Sequence, residues 1–193
     1  MAEPRVLVLG DSFIRRLRFF LSRDSHHFRV DFKLSHRAFI KWHGVGGRTV
    51  SKTLQLDLNV IETFRPEIII MQLGSNDLTD SDPLHVGSAV EDFVRLLHDT
   101  YGVKVVCVCQ TVMRQGAVVF NRKAKLLTKY LRVVLQLIPY AIFWGHRGFW
   151  HPTQNFYSRD GVHLNSFGQE KYHRSLRGAI LRSLSLFSTI SSC

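Results

Sequence analysis

A chain of 193 residues with 45% apolar and 21% charged side chains has the length of one domain and enough apolar surface to bury a core, which excludes disorder as the starting assumption. Its 26 Lys and Arg against 15 Asp and Glu give a net charge of +11, which bears on solubility and partners rather than on fold. Residues 1–52 carry 11 basic and 4 acidic side chains, residues 53–105 carry 3 and 9, and residues 106–193 carry 12 and 2. Two basic flanks around an acidic middle point either to an anionic neighbour (nucleic acid, an acidic membrane surface or an anionic substrate) or to a solvated basic surface that binds nothing in particular.

In chain order, Arg5–Leu9 reads as a buried strand closed by Gly10. From Ser12 the period changes to that of a helix: Phe13, Leu17 and Phe20 share one face, with Arg15, Arg16 and Arg18 off it. Phe28–Leu34 alternates apolar with charged residues and is expected to be a half-exposed edge strand. A polar, glycine-rich stretch follows and ends in Gly44-Val45-Gly46-Gly47-Arg48-Thr49. Residues 49–64 carry Val50, Leu54, Leu58 and Ile61 at helical spacing, and Glu67–Leu73 is the strongest buried strand. A helix over 84–101, a strand over Val103–Gln110, a basic amphipathic helix over 118–138 and a short strand at Ala141–Trp144 come next. A loop rich in His, Arg and aromatics spans 145–160, and a last helix runs from about Ser166 to about Leu186. The expected organisation is one domain over 1–187 with a frayed tail over 188–193. The β/α alternation predicts a parallel sheet covered by helices on both faces, with ligands outside the carboxyl ends of the strands.

Cys107 and Cys109 lie two apart in a strand, so they share a face and are expected to be buried free thiols; Cys193 completes the three. No cysteine or histidine spacing points to a metal, and an odd cysteine count fits a reducing compartment. The opening Met1-Ala2-Glu3-Pro4 shows no secretory pattern and no stretch is apolar enough to span a bilayer, so intracellular residence is the expectation.

Four short motifs fall at strand ends. Gly10-Asp11-Ser12 puts a serine at a helix N-terminus, where free N–H groups favour a developing anion; taken alone, it is also a helix cap. The glycine loop 44–49 lets backbone N–H groups approach a ligand but is neither a P-loop nor a dinucleotide fingerprint. Gly74-Ser75-Asn76-Asp77 offers a side-chain amide to an oxyanion, and Asp160-Gly161-Val162-His163 spaces a carboxylate to fix an imidazole tautomer. Together they supply a nucleophile, a base, an orienting acid and oxyanion donors, the set that acyl transfer requires. No Gly-x-Ser-x-Gly elbow is present, which disfavours an α/β-hydrolase.

These blocks, in this order, resemble those of the SGNH (GDSL-like) hydrolases, with Phe13 where the GDSL name has Leu. The resemblance runs from residue 5 to about 180. It implies a flavodoxin-like three-layer α/β/α sandwich with a five-stranded parallel sheet and no metal or organic cofactor. It implies Ser12 as nucleophile, His163 as base and Asp160 as its partner. Ser12, Gly47 (with Gly46 as the fallback) and Asn76 would form the oxyanion hole, supported by Asp11, Gly74 and Asp77. The expected activity is that of a serine esterase on a small acyl-ester substrate. Similar domains occur in mobile genetic elements of animals, where a basic surface would suit nucleic acid. The competing reading is therefore a catalytically weak module that binds nucleic acid or another polyanion. It would use Arg122, Lys123, Lys125, Lys129 and Arg132, and stack bases on Trp144, His146, Phe149 and Trp150 beside Arg147 and His151.

Overall fold

Five runs, Arg5–Gly10 (β1), Phe39–Gly44 (β2), Ile68–Gln72 (β3), Val105–Cys109 (β4) and Ala141–Trp144 (β5), make one sheet in the computed structural model, which describes residues 3–23, 29–151 and 155–192. Every neighbouring pair is parallel and the order is β2-β1-β3-β4-β5, the flavodoxin-like doubly wound arrangement. Strand side chains alternate between two cores. Val6, Val8, Ile68, Ile70, Val105 and Cys107 pack with helices Ser12–Arg23 (α1) and Ser166–Ser191 (α6). Leu7, Leu9, Ile69, Met71, Val106 and Val108 pack on the opposite face. That face is covered by Val50–Leu56 (α2), Leu58–Phe64 (α3), Pro83–Asp99 (α4) and Val118–Val134 (α5). Strands buried on both sides explain why these runs read as continuously apolar. Cys107 and Cys109 are buried free thiols on the α1/α6 side, whereas Cys193 lies outside the described residues. Among the described residues no helix is long and apolar enough to cross a membrane.

Three expectations are corrected. The edge strand is Phe39–Gly44, inside the stretch read as polar, and not Phe28–Leu34. Phe28 lies outside the described residues; from Arg29 the chain turns, and Phe32 and Lys33 both take φ of 56°, which no strand can hold. The alternation there reflects a folded-back loop that sinks Phe32 between the rings of Trp42 and His173, each 4.9 Å away. The helix expected over 49–64 breaks in two at Asp57, whose backbone leaves the helical region while its carboxylate faces Arg48 and His43. The last helix continues past Leu186 to Ser191.

Gly44 ends β2 where α1 passes overhead: a Cβ there would lie 2.9 Å from both Ile14 C and Arg15 Cα, backbone atoms that cannot swing away. Gly44→Ala should therefore lower stability by about 1–3 kcal/mol in urea denaturation, the usual cost of overpacking. Gly46→Ala, whose methyl would meet only the Arg15 side chain at 3.5 Å, should change it little. Equal effects at the two positions would contradict this packing.

Candidate active site

The parallel sheet gathers the ends of β1, β2 and β3 at one edge. There β1 turns into α1 through Gly10-Asp11-Ser12. Gly10 is required sterically, since a Cβ would sit 2.6 Å from both Gln72 O and Ile14 Cγ1. The Asp11 N–H donates to Gln72 O at 3.2 Å and the Val45 N–H to Gly10 O at 3.0 Å, which ties the turn to both flanking strands. Asp11 Oδ1 accepts from the Phe13 N–H at 2.9 Å, capping α1 from inside.

Ser12 Oγ lies 3.1 Å from Nε2 of His163, across 151 positions of sequence. His163 Nδ1 lies 2.7 Å from Asp160 Oδ2. A proton on Nδ1 donated to that carboxylate leaves Nε2 as the acceptor for the Ser12 hydroxyl. Asp160 Oδ1 meanwhile accepts from the N–H groups of Val162 and His163, both at 2.9 Å, so the loop folds around its own acid. Burial opposes ionisation of Asp160, but the bonds from His163 and Val162 and the charge of His163 outweigh it and bring the pKa down to about 2. Three contacts fix the loop: Tyr157 Oη donates to Met113 O, Gln115 N–H to Gly161 O, and Asn165 caps α6 through Gly168 N.

Gly47, Asn76, Ser12 and His163 line one groove of about 790 Å³. Gly47 takes φ of 72° and has open space beside it, so its conformation rather than crowding calls for glycine. Asn76 Nδ2 donates one proton to Arg48 O at 2.9 Å, which leaves its second proton for the groove. Gly74, with φ of 95°, turns the chain after β3. Asp77 Oδ1 accepts the Val50 N–H at 3.0 Å, joining this turn to α2. Every residue singled out from the four motifs is thus at this edge of the sheet.

Several participants escaped the sequence reading. Asp57 grips Arg48 at 2.7 Å and 3.0 Å and His43 at 3.0 Å, so the loop whose carbonyl holds Asn76 is itself anchored to a buried carboxylate. Behind the serine, Gln72 Oε1 accepts from Tyr172 Oη at 3.0 Å and faces His146 Nε2 at 3.1 Å. His146 Nδ1 faces Ser175 Oγ at 2.8 Å, and Ser175 accepts from Trp144 Nε1 at 3.1 Å. Burial pushes His146 down to about 3, so it stays neutral, donating through Nε2 and accepting through Nδ1. Of the residues considered for base stacking, His146 and Phe149 are fully buried, and Trp144 is half-buried with its Nε1 committed to Ser175. Lys123 likewise donates to Leu78 O and Ser81 O.

No protein-family model and no curated protein matches the sequence. Solved structures do match. A psychrotrophic esterase from a Pseudoalteromonas species superposes with a TM-score of 0.74 at 13% identity, covering 95% of this chain and 100% of that one. A GDSL-like lipase from Bacteroides thetaiotaomicron gives 0.71 at 14%, covering 95% and 93%. A carbohydrate esterase of family 3 from Talaromyces cellulolyticus gives 0.71 at 13%, covering 94% and 98%. The chain has the fold of the GDSL-like (SGNH) hydrolases.

Asp11 is wholly buried, and its Oδ2 has no hydrogen-bond partner among the described residues. Burial raises its pKa to about 7; the Phe13 N–H and the charge of Arg114 pull against that, and Asp77 adds to it. A pKa higher in the folded than in the unfolded chain adds stability that is full below about pH 4 and is lost as pH rises through 7. Asp11→Asn should flatten that decline: between pH 5 and 8 the wild type should lose on the order of 2–4 kcal/mol more than the variant in urea titrations. Parallel profiles would show that the Asp11 carboxyl is not held protonated.

Proposed function

We propose that this chain is a serine ester hydrolase that works through an acyl-enzyme. His163 Nε2 takes the hydroxyl proton of Ser12 as Oγ attacks the ester carbonyl. Asp160 holds the imidazole in the required tautomer and stabilises the imidazolium. The carbonyl oxygen, now an anion, accepts from the Ser12 N–H, the Gly47 N–H and Asn76 Nδ2. Collapse of the tetrahedral intermediate breaks the bond to the alcohol, which leaves with the proton from His163. Water then repeats the sequence on the acyl-serine: His163 removes its proton, the acid departs, and Ser12 is regenerated.

The observation that carries this reading is the contact between Ser12 Oγ and His163 Nε2, with Asp160 behind the ring. Neither Ser12 nor Gly47 donates its backbone N–H to another group among the described residues, so both donors remain available to substrate. The structural likeness to esterases and a lipase agrees with ester hydrolysis.

Hydrolysis of short-chain 4-nitrophenyl esters should fall to the solvent background in Ser12→Ala. Asn76→Ala should lower kcat by about 10²–10³, the usual loss for one oxyanion donor. Asp160→Asn should lower it by up to about 10⁴. Turnover that survives Ser12→Ala unchanged would sink the proposal.

A further inference from the structure

The face of α1 that carries Ser12 does not end at the serine. Positions three, four and seven residues on share that face, and they are Arg15, Arg16 and Phe19. All three line the groove with Ser12 and His163, and Arg18 joins them. Arg15 Nη1 lies 3.5 Å from where a Cβ on Gly46 would be, so its guanidinium rests against the oxyanion loop. With a rise of 1.5 Å per residue, Arg15 and Arg16 stand about 5–6 Å and Arg18 about 9 Å along the helix from the nucleophile.

These arginines are poorly explained by the fold. None forms an ion pair among the described residues, and no acidic side chain lines the groove there. Arg15 and Arg16 also sit in the first turns of α1, where the helix dipole disfavours cations, and α1 has no acidic residue in its first turn to compensate. Three like charges on one helix repel one another. A bound anion would relieve both penalties. Phe19 is 56% exposed beside them, with the Arg23 guanidinium 4.5 Å from its ring centre, and adds an apolar wall.

We propose that the groove selects esters whose non-reacting part carries a phosphate or carboxylate, held by Arg15, Arg16 and Arg18 about one to two helical turns from the scissile carbonyl. This rests on the esterase reading of Ser12 and His163 and gives that site its substrate class. A groove of about 790 Å³ accommodates a small molecule with such a group.

Two matched pairs test it and separate the sources of charge. 4-Nitrophenyl butyrate against 4-nitrophenyl hydrogen glutarate places a carboxylate on the acyl part. Acetylglycerol against acetylglycerol 3-phosphate places a phosphate on the alcohol part. In at least one pair the anionic member should have a kcat/KM about tenfold higher or more. That ratio should shrink with added salt and fall towards one in Arg15→Gln/Arg18→Gln. A neutral member equal or superior in both pairs, or a preference that survives the double substitution, overturns the proposal. Absence of serine-dependent turnover on all four esters is instead the failure of the esterase reading. Calorimetry on Ser12→Ala then decides the question without turnover. Binding of an anionic ester that is lost on adding Arg15→Gln/Arg18→Gln supports the site, and binding that is absent or unaffected refutes it.

Discussion

Gln72 is the joint on which the site depends. It ends β3 opposite Gly10, and its backbone oxygen receives the Asp11 N–H from the Gly10-Asp11-Ser12 turn. Its side-chain oxygen receives Tyr172 from α6 and His146 from the loop after β5, while its Nε2 donates to Gln110 O beyond β4. One buried residue thereby links the start of the chain to its last helix. His163 reaches Ser12 because α6 is seated there, with Leu164 and Asn165 leading into it from His163. A network of neutral groups suits this task. Each member has a partner, and a buried His146 held near pKa 3 carries no charge that would need compensation.

The Gly47 and Asn76 side of the groove is assembled from a different quarter of the molecule. Asp57 breaks the α2–α3 helix and uses the freed geometry to hold Arg48 and His43. Arg48 in turn fixes Asn76 through its carbonyl, and Asp77 fixes α2 through Val50. The loops after β2 and β3 are thus cross-braced, and in the proposed mechanism that bracing would set the Gly47 and Asn76 donors before substrate arrives. Such preorganisation is what lets hydrogen-bond donors stabilise charge without reorganising at the moment of reaction.

The sequence made the sheet legible because β1, β3 and β4 are buried on both faces and read as apolar runs. It concealed β2 because that strand lies at an edge: Phe39 and Lys41 are exposed, and only Trp42 is buried. The Phe28–Leu34 pattern misled because an alternation of apolar and charged residues is also what a loop shows when Phe32 and Leu34 turn inward. Motif spacing singled out Ser12, Asn76, Asp160 and His163, each at a strand end or a short turn, and the fold brings them to one edge of the sheet. The supporting shell had no such signature. Asp57, Gln72 and His146 make contacts 9 to 100 positions away in sequence, and only the folded chain brings those partners together. The arginines on the Ser12 face of α1 were visible as residues off the core stripe; their meaning required the groove.

The central claim is that Ser12 is a hydroxyl activated by His163 and surrounded by donors for a developing oxyanion. A fluorophosphonate tests it directly, because its phosphorus accepts only an activated nucleophile and its phosphoryl oxygen then occupies the oxyanion position. Peptide mapping by mass spectrometry should place a single phosphonyl group on Ser12, with labelling strongly slowed in His163→Ala. An unlabelled protein, or a label on another serine such as Ser75, would contradict the account.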